Sequence, residues 1–349
     1  MLSGSRSMTP VFDDTPCLVS LIRRGLAAAR WHLNRQIRPV ARHDVHHDLA
    51  RAAYLTSWQR SGSTWLSEVI ASDPRTRFVF EPANLRQVPL ITTGGGDRDP
   101  LNLAGPGDDL GVLGQILLDA LSGRLKDPWT EKFDRTLWAT RRIVKDVDTV
   151  PVLPWIAAAA PDVPLILLLR HPIATAHSLV DLGWSRRSSD RTTLGDSAAE
   201  KAEALIAEVA RWSEAYSWAI RHDACDKVLI LTYEATVRDP RRQLDLIRDH
   251  LQRSGQAWAN WTPNEARFAD PSSTTYRRDQ ASSAEWIDSW SAHYDDVTIE
   301  RAMAAVADHG LNVVYDRGPE PLLADAAIRD AVRASRQPTR DQPSHEEEL

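Results

Sequence analysis

Cysteine is nearly absent: Cys17 and Cys225 are the only two in 349 residues. Two thiols cannot build a disulfide framework, and no basic start followed by an apolar segment and a cleavage site marks a secretory leader. The expectation is a reduced, cytoplasmic protein. No run approaches the roughly 18 consecutive apolar residues that a membrane-crossing helix needs, which excludes a bilayer-spanning reading. A basic excess is missing too. Forty-two basic side chains against 48 acidic ones leave a net charge of -6, which argues against bulk nucleic-acid binding. What is present, 42% hydrophobic and 26% charged residues, suffices for one large globular domain with appendages. Thirteen tryptophans are many for this length and are expected mainly on core and helix faces.

Near the start, Leu18, Ile22, Leu26, Ala29, Leu33 and Ile37 recur every three or four positions, with Thr15 and Pro16 as start signals and Pro39 as a stop. The spacing predicts an amphipathic helix. Its other positions carry Arg23, Arg24, Arg30, Arg35 and Arg38, and no acid interrupts residues 15 to 43. Two readings stay open: a solvated basic face on a helix packed against its own domain, the more ordinary outcome, or peripheral contact of residues 16–38 with an anionic membrane. The cluster "HDVHHD" (43–48) has no partner ligands at metal spacing and reads as a surface turn.

From residue 52 strands and helices alternate. "AAYLTS" (52–57), "RFVF" (77–80), "PLILLL" (164–169) and "KVLIL" (227–231) read as strands. Helices are expected at 63–72, after Pro172, near 197–222 and from Pro240. Buried apolar strands separated by helices imply an α/β fold with a central parallel sheet covered on both faces. The polar segments 92–109 and 185–197 read as substrate loops or lids. The expected division is an N-terminal extension (1–50), a main domain (51–317), and a C-terminal helix with a disordered acidic tail (318–349).

The segment "SWQRSGSTW" (57–65) follows the first strand and has the spacing of a phosphate-binding loop, G-x-x-x-x-G-K-[ST]. Ser57 stands at the first glycine, Gly62 at the second and Thr64 at the hydroxyl position; Ser63 replaces the lysine. A cation appears instead at Arg60. Ser61, Gly62, Ser63 and Thr64 still open a helix whose free N–H groups favour an anion. After the strand "PLILLL", where a nucleoside triphosphatase would carry a magnesium-binding aspartate, stands Arg170. An arginine at the carboxyl end of a parallel strand faces the same crevice as the loop. Ser178, two helical turns later, can add a hydroxyl, so the pattern suggests two phosphates held without a metal.

On these residues the chain resembles the sulfotransferases that use 3′-phosphoadenosine 5′-phosphosulfate (PAPS). "SWQRSGSTWL" looks like the 5′-phosphosulfate loop, Trp65 included, and "LLLRHPIATAHSLV" looks like the 3′-phosphate motif, with Arg170 and Ser178 in the gripping positions. The "YE" pair in "LILTYEA" matches the family's adenine-contacting tyrosine at Tyr233. A looser echo in "SSTTYRRDQASSAEW" offers Arg277 or Arg278 to the 3′-phosphate. The resemblance spans roughly residues 52 to 315 and implies a sulfotransferase fold, related to that of P-loop nucleoside triphosphatases, with PAPS as co-substrate and no metal.

The departures narrow the subgroup. Aryl and steroid sulfotransferases carry a lysine in the loop and a "KTH" segment with a histidine base, whereas this chain has Arg60 and "VKDVD" (144–148). Arg60 and the "FEP" at 80–82 instead resemble carbohydrate and related bacterial sulfotransferases, whose base is a glutamate; Glu81 is that residue here. Lys145 matches the lysine of the missing segment and is expected at the transferring group, while Asp146 and Asp148 rank below Glu81 as bases. The implied acceptor is a hydroxyl of a carbohydrate, lipid or small natural product. A divergent P-loop kinase and a non-catalytic nucleotide-binding protein are the alternatives.

Overall fold

The computed structural model describes residues 43–44, 46–84, 102–147, 149–184, 197–270, 272–274 and 287–335. Its contacts divide the chain into Met1–Ala41 and Arg42–Leu349, and every described residue belongs to the second unit. The basic segment 16–38, most of both polar loops, Asp148, Arg277, Arg278 and the acidic tail lie outside the described residues.

Five parallel strands form the central sheet: β1 (Ala52–Ser57), β2 (Thr76–Phe80), β3 (Arg141–Asp146), β4 (Leu165–Leu169) and β5 (Leu229–Thr232), in the order β2-β3-β1-β4-β5. The expected α/β architecture is present. Strand periodicity explains its two covers. Ala52 and Tyr54 of β1 and Leu165, Leu167 and Leu169 of β4 enter one buried cluster; Ala53, Leu55, Ile166 and Leu168 enter the other. Side chains two apart share a face, so a strand buried on both faces reads as an unbroken apolar run.

Helices α1 (Ser63–Ile70) and α7 (Pro240–Arg253) cover the second face, α1 through Leu66, Val69 and Ile70 and α7 through Leu244, Ile247 and Leu251. The first face is covered by α2 (Gly111–Leu121), α3 (Leu153–Ala159), α4 (Pro172–Asp181) and the long α5 (Ala198–Arg221). Helix α6 (Tyr233–Arg238) follows β5 directly. Helices α8 (Asp296–Asp308) and α9 (Asp325–Ala334) complete the first layer, and Ile328 and Val332 of α9 are buried in the same cluster. Arg221 of α5 donates to the Ser335 carbonyl at 3.1 Å and its hydroxyl at 2.6 Å, fastening the end of α9.

The strand that periodicity misses is β3. Its sequence, RRIVKD, contains four charged residues, all buried. Each is compensated by a specific partner, as burial of charge requires. Arg142 donates to the carbonyls of Asp48 and Leu121, both at 2.8 Å, and of His46. Arg141 donates to the Ala257 carbonyl at 2.7 Å and pairs with Asp73 at 3.3 Å. Near the chain's first described strand residues, His47 and Asp48 are exposed: the His47 ring lies 3.3 Å from the Ser122 carbonyl, and Asp48 accepts from the Ala50 amide.

Candidate active site

Chain order sets the location. The chain enters the sheet at its centre with β1, passes to the edge strand β2, fills the place between them with β3, then crosses β1 to β4 and β5. Crevices at such reversals open at the carboxyl ends of the strands. The loops after β1, β2, β3, β4 and β5 all begin there.

After β1, the loop 58–62 turns through two left-handed residues, Arg60 (φ 66°) and Gly62 (φ 85°). A non-glycine residue held at positive φ is strained by about 1–3 kcal/mol and is kept where surrounding contacts over-determine it. Those contacts are visible. The Trp58 amide donates to the Tyr216 hydroxyl at 2.8 Å, and that hydroxyl donates to the Leu168 carbonyl at 2.7 Å, tying the loop to β4 through α5. Gly62 is the N-cap of α1 and supplies no side-chain cap, so the first amides of Ser63 and Thr64 open the helix without a capping oxygen. That is the amide arrangement an anion needs.

The residues expected to bind nucleotide converge on this loop. Arg170, just past β4, donates from Nη1 to the Arg60 carbonyl at 2.8 Å and lies 4.6 Å above the Tyr233 ring. The Arg60 Nε donates to the Ser178 hydroxyl at 3.0 Å, so its guanidinium turns towards α4. Trp65 meets Tyr233 edge-on at 6.1 Å. The Tyr233 ring occupies the space beside Gly62: a Cβ there would stand 2.6 Å and 2.7 Å from two ring carbons. Gly62→Ala therefore combines a ring clash with an unfavourable φ. It is expected to lower stability by about 1–3 kcal/mol and to weaken nucleotide binding together, read by denaturant unfolding and calorimetry; unchanged values in both would show that the ring moves aside freely.

Across β3 the second group assembles. Register pairs Phe80 of β2 with Lys145 of β3, and the Glu81 amide donates to the Lys145 carbonyl at 2.7 Å. Glu81 takes a positive φ of 44°, and its carboxylate meets Lys145 Nζ at 2.6 Å. Lys145 is 1% exposed and Glu81 13%, so the carboxylate edge reaches the crevice while the ammonium is enclosed. The second carboxylate oxygen accepts from Asn84 Nδ2 at 3.2 Å. Asp146 instead accepts from the Ala83 and Val147 amides, both at 2.8 Å, and so clamps the loop that carries Glu81.

Three supporting residues escaped the sequence reading. Glu234, beside Tyr233, is fully buried and accepts from the His171 amide at 2.8 Å and the Tyr315 hydroxyl at 3.0 Å. It bridges the ends of β4 and β5. Burial pushes its carboxyl up to about 7 and pulls the His171 imidazole down to about 4, because dry surroundings favour the neutral forms. His171 stacks on Trp290 with centroids 4.6 Å apart. The third is Tyr216, whose place in the middle of α5 carries no sequence signal for a contact with a distant loop. Arg170 had such a signal, a cation directly after an apolar strand.

Fold and site together define a parallel α/β protein with a basic strand–loop–helix corner and a carboxylate–lysine pair at one sheet edge. The model of the "Sulfotransferase family" matches residues 53–257, and the chain belongs to that family. Among solved structures it is similar to the sulfotransferase domain of the Synechococcus PCC 7002 olefin synthase, at 19% identity and a TM-score of 0.36, over 72% of this chain and 93% of that one. A sulfotransferase from Alicyclobacillus acidocaldarius aligns at 16% identity and 0.32, covering 74% and 95%. The sulfotransferase domain from the curacin biosynthetic pathway aligns at 15% and 0.34, covering 82% and 98%. No curated protein matches. Among the described residues no helix is long and apolar enough to cross a membrane, and no cluster of His, Cys, Asp and Glu could hold a metal ion.

Proposed function

We propose that this sulfotransferase takes PAPS as donor and moves its sulfuryl group to an aliphatic hydroxyl of a carbohydrate, lipid or small natural product, with Glu81 as general base. The observation that carries the reading is the Glu81–Lys145 pair, 2.6 Å apart at the carboxyl edge of the strands. A family resemblance that names a glutamate base finds there a carboxylate with an open edge.

The donor supplies an activated sulfuryl group on a phosphate leaving group. The residues that would hold it are the amides at Ser61, Gly62, Ser63 and Thr64 with Arg60 for the phosphosulfate end, Trp65 and Tyr233 for the base, and Arg170 and Ser178 for the 3′-phosphate. They fit on the chemistry present: uncapped amides, two guanidinium groups and a hydroxyl gather around one loop. Arg277 and Arg278 remain proposed contributors. Glu81 takes the acceptor proton as the hydroxyl attacks sulfur in line, a general-base contribution of about 10²- to 10⁴-fold. Lys145 holds that carboxylate in place and balances its charge. Together with Arg60 and the loop amides, its ammonium would offset charge growing on the sulfonate and leaving oxygen. The work is alignment and electrostatics, as in phosphoryl transfer.

The first test is a thermal-shift comparison. 3′-Phosphoadenosine 5′-phosphate is expected to raise the melting temperature, with ATP and magnesium giving the smaller shift; the reverse order would favour a kinase and overturn the donor assignment. Labelled PAPS added to cell extract with the protein then identifies the acceptor from the labelled product.

A further inference from the structure

The turn at 126–136 fastens to the outer edge of β2. The Phe80 amide donates to the Thr130 carbonyl at 2.8 Å, and the Phe78 amide to the Asp134 carboxylate at 3.2 Å. Arg77 of β2 pairs with Glu131 at 2.6 Å and donates to the Leu125 carbonyl at 2.6 Å. The two charges of that pair are both buried. This anchorage fixes the position of Lys132, which no sequence motif marks.

Lys132 Nζ lies 3.2 Å from the centroid of Trp129, 4.1 Å from Phe80 and 4.8 Å from Phe133. Phe80 packs edge-on against both other rings, so the three form an aromatic box. Lys145 Nζ is 4.7 Å from the same Phe80 ring, so the two ammonium groups can be no farther apart than the sum of their distances to it. Lys132 therefore stands beside the Glu81–Lys145 pair. Aromatic faces attract a cation, but they carry no net charge. Among the described residues no carboxylate lies within ion-pair distance of Lys132, and the charge of Glu81 is already matched by Lys145. A half-buried positive charge is left over at the rim of the site.

Position tells which ligand it faces. The candidate nucleotide residues stand after β1, β4 and β5, whereas Lys132 packs on β2, at the opposite edge of the sheet and beyond Glu81. We propose that Lys132 is a specificity-determining cation on the acceptor side, selecting hydroxyl acceptors that carry a carboxylate or other oxyanion close to the hydroxyl to be sulfated. The inference rests on the reading of Glu81 as the base beside which the acceptor sits. An arriving oxyanion completes the neutralisation that the aromatic box leaves undone, through a charge-assisted hydrogen bond.

The ionisation of Lys132 gives a second readout. Burial pulls it down to about 8; the Glu81 carboxylate lifts it and the Lys145 ammonium presses it down. Its own turn also carries Lys126, Asp127, Glu131, which pairs with Arg77, Asp134, which accepts from the amides of Phe78 and Thr136, and Arg135. Lys132 loses its charge as pH rises through about 8, so preference for an anionic acceptor is present at lower pH and lost above it.

The test uses the full chain saturated with 3′-phosphoadenosine 5′-phosphate. Binding of glucuronate and 4-hydroxybutyrate, each against its methyl ester, is measured by calorimetry between pH 6.5 and 9.5. The wild type is expected to prefer the free acid about tenfold or more in at least one pair, with the preference fading above pH 8. Lys132→Ala abolishes it, Lys132→Arg retains it across the whole pH range, and both keep nucleotide affinity. No charge preference in either pair, or a preference that survives in Lys132→Ala, overturns the proposal. Absence of nucleotide binding in the wild type would instead sink the donor assignment, which separates the two failures.

Discussion

Glu81→Gln is expected to lower turnover by about 10²- to 10⁴-fold, the range general-base catalysis supplies, while the affinity for 3′-phosphoadenosine 5′-phosphate stays within about twofold. The amide matches the carboxylate in shape and can still accept from Lys145 Nζ, which sits 2.6 Å away. What it cannot do is take a proton. Removing the negative charge also leaves the enclosed Lys145 ammonium without its counter-charge, so some loss of stability accompanies the change. For that reason the comparison is made on folded protein, with kcat from labelled sulfate transfer and nucleotide Kd from calorimetry. Undiminished turnover would reject Glu81 as base. A parallel collapse of nucleotide affinity would assign it a structural role, since it lies across β3 from the loop proposed to hold the nucleotide.

Arg170→Ala is expected to weaken binding of the 3′-phosphorylated nucleotide by about tenfold to a hundredfold, the worth of a charge-assisted hydrogen bond at roughly 1.5–3 kcal/mol. Adenosine 5′-phosphosulfate, which lacks the 3′-phosphate, should lose far less. The difference between the two ligands is the informative quantity, because Arg170 also supports the loop through the Arg60 carbonyl and stacks on Tyr233. A general loosening of the loop would weaken both equally. Arg170→Lys should fall between, since lysine keeps the charge and loses the planar fork. Equal binding of the two nucleotides by the wild type would remove the role given to Arg170 and Ser178.

Much of the fold could be read from the chain because β1, β4 and β5 are apolar runs between helices, and a doubly covered parallel strand needs that pattern. The expected strand 52–57 and the helix opening at Ser63 coincide with the structure at those residues. The gathering of Arg60, Gly62, Arg170, Ser178 and Tyr233 was legible too, since each stands just after a strand or at a fixed helical offset. The supporting residues Tyr216, Glu234 and His171 were not, because a buried hydrogen bond between distant segments leaves no periodic trace. Glu81 drew notice through its motif, but its strained backbone and its ion pair did not.

The sequence by itself determined the layering of apolar strands, the absence of lysine at position 63 and the presence of Arg170 directly after an apolar strand. These are local facts: residue type and spacing decide them. Tertiary structure alone decided that RRIVKD is a central strand. Its charges are tolerable in the interior only because carbonyls of residues 46, 48, 121 and 257, and the carboxylates of Asp73 and Glu81, converge on them. The register that follows sets Lys145 against Glu81 and brings Lys132 to the same aromatic ring. A buried charge is stable only where its partner stands, and that partner comes from elsewhere in the chain.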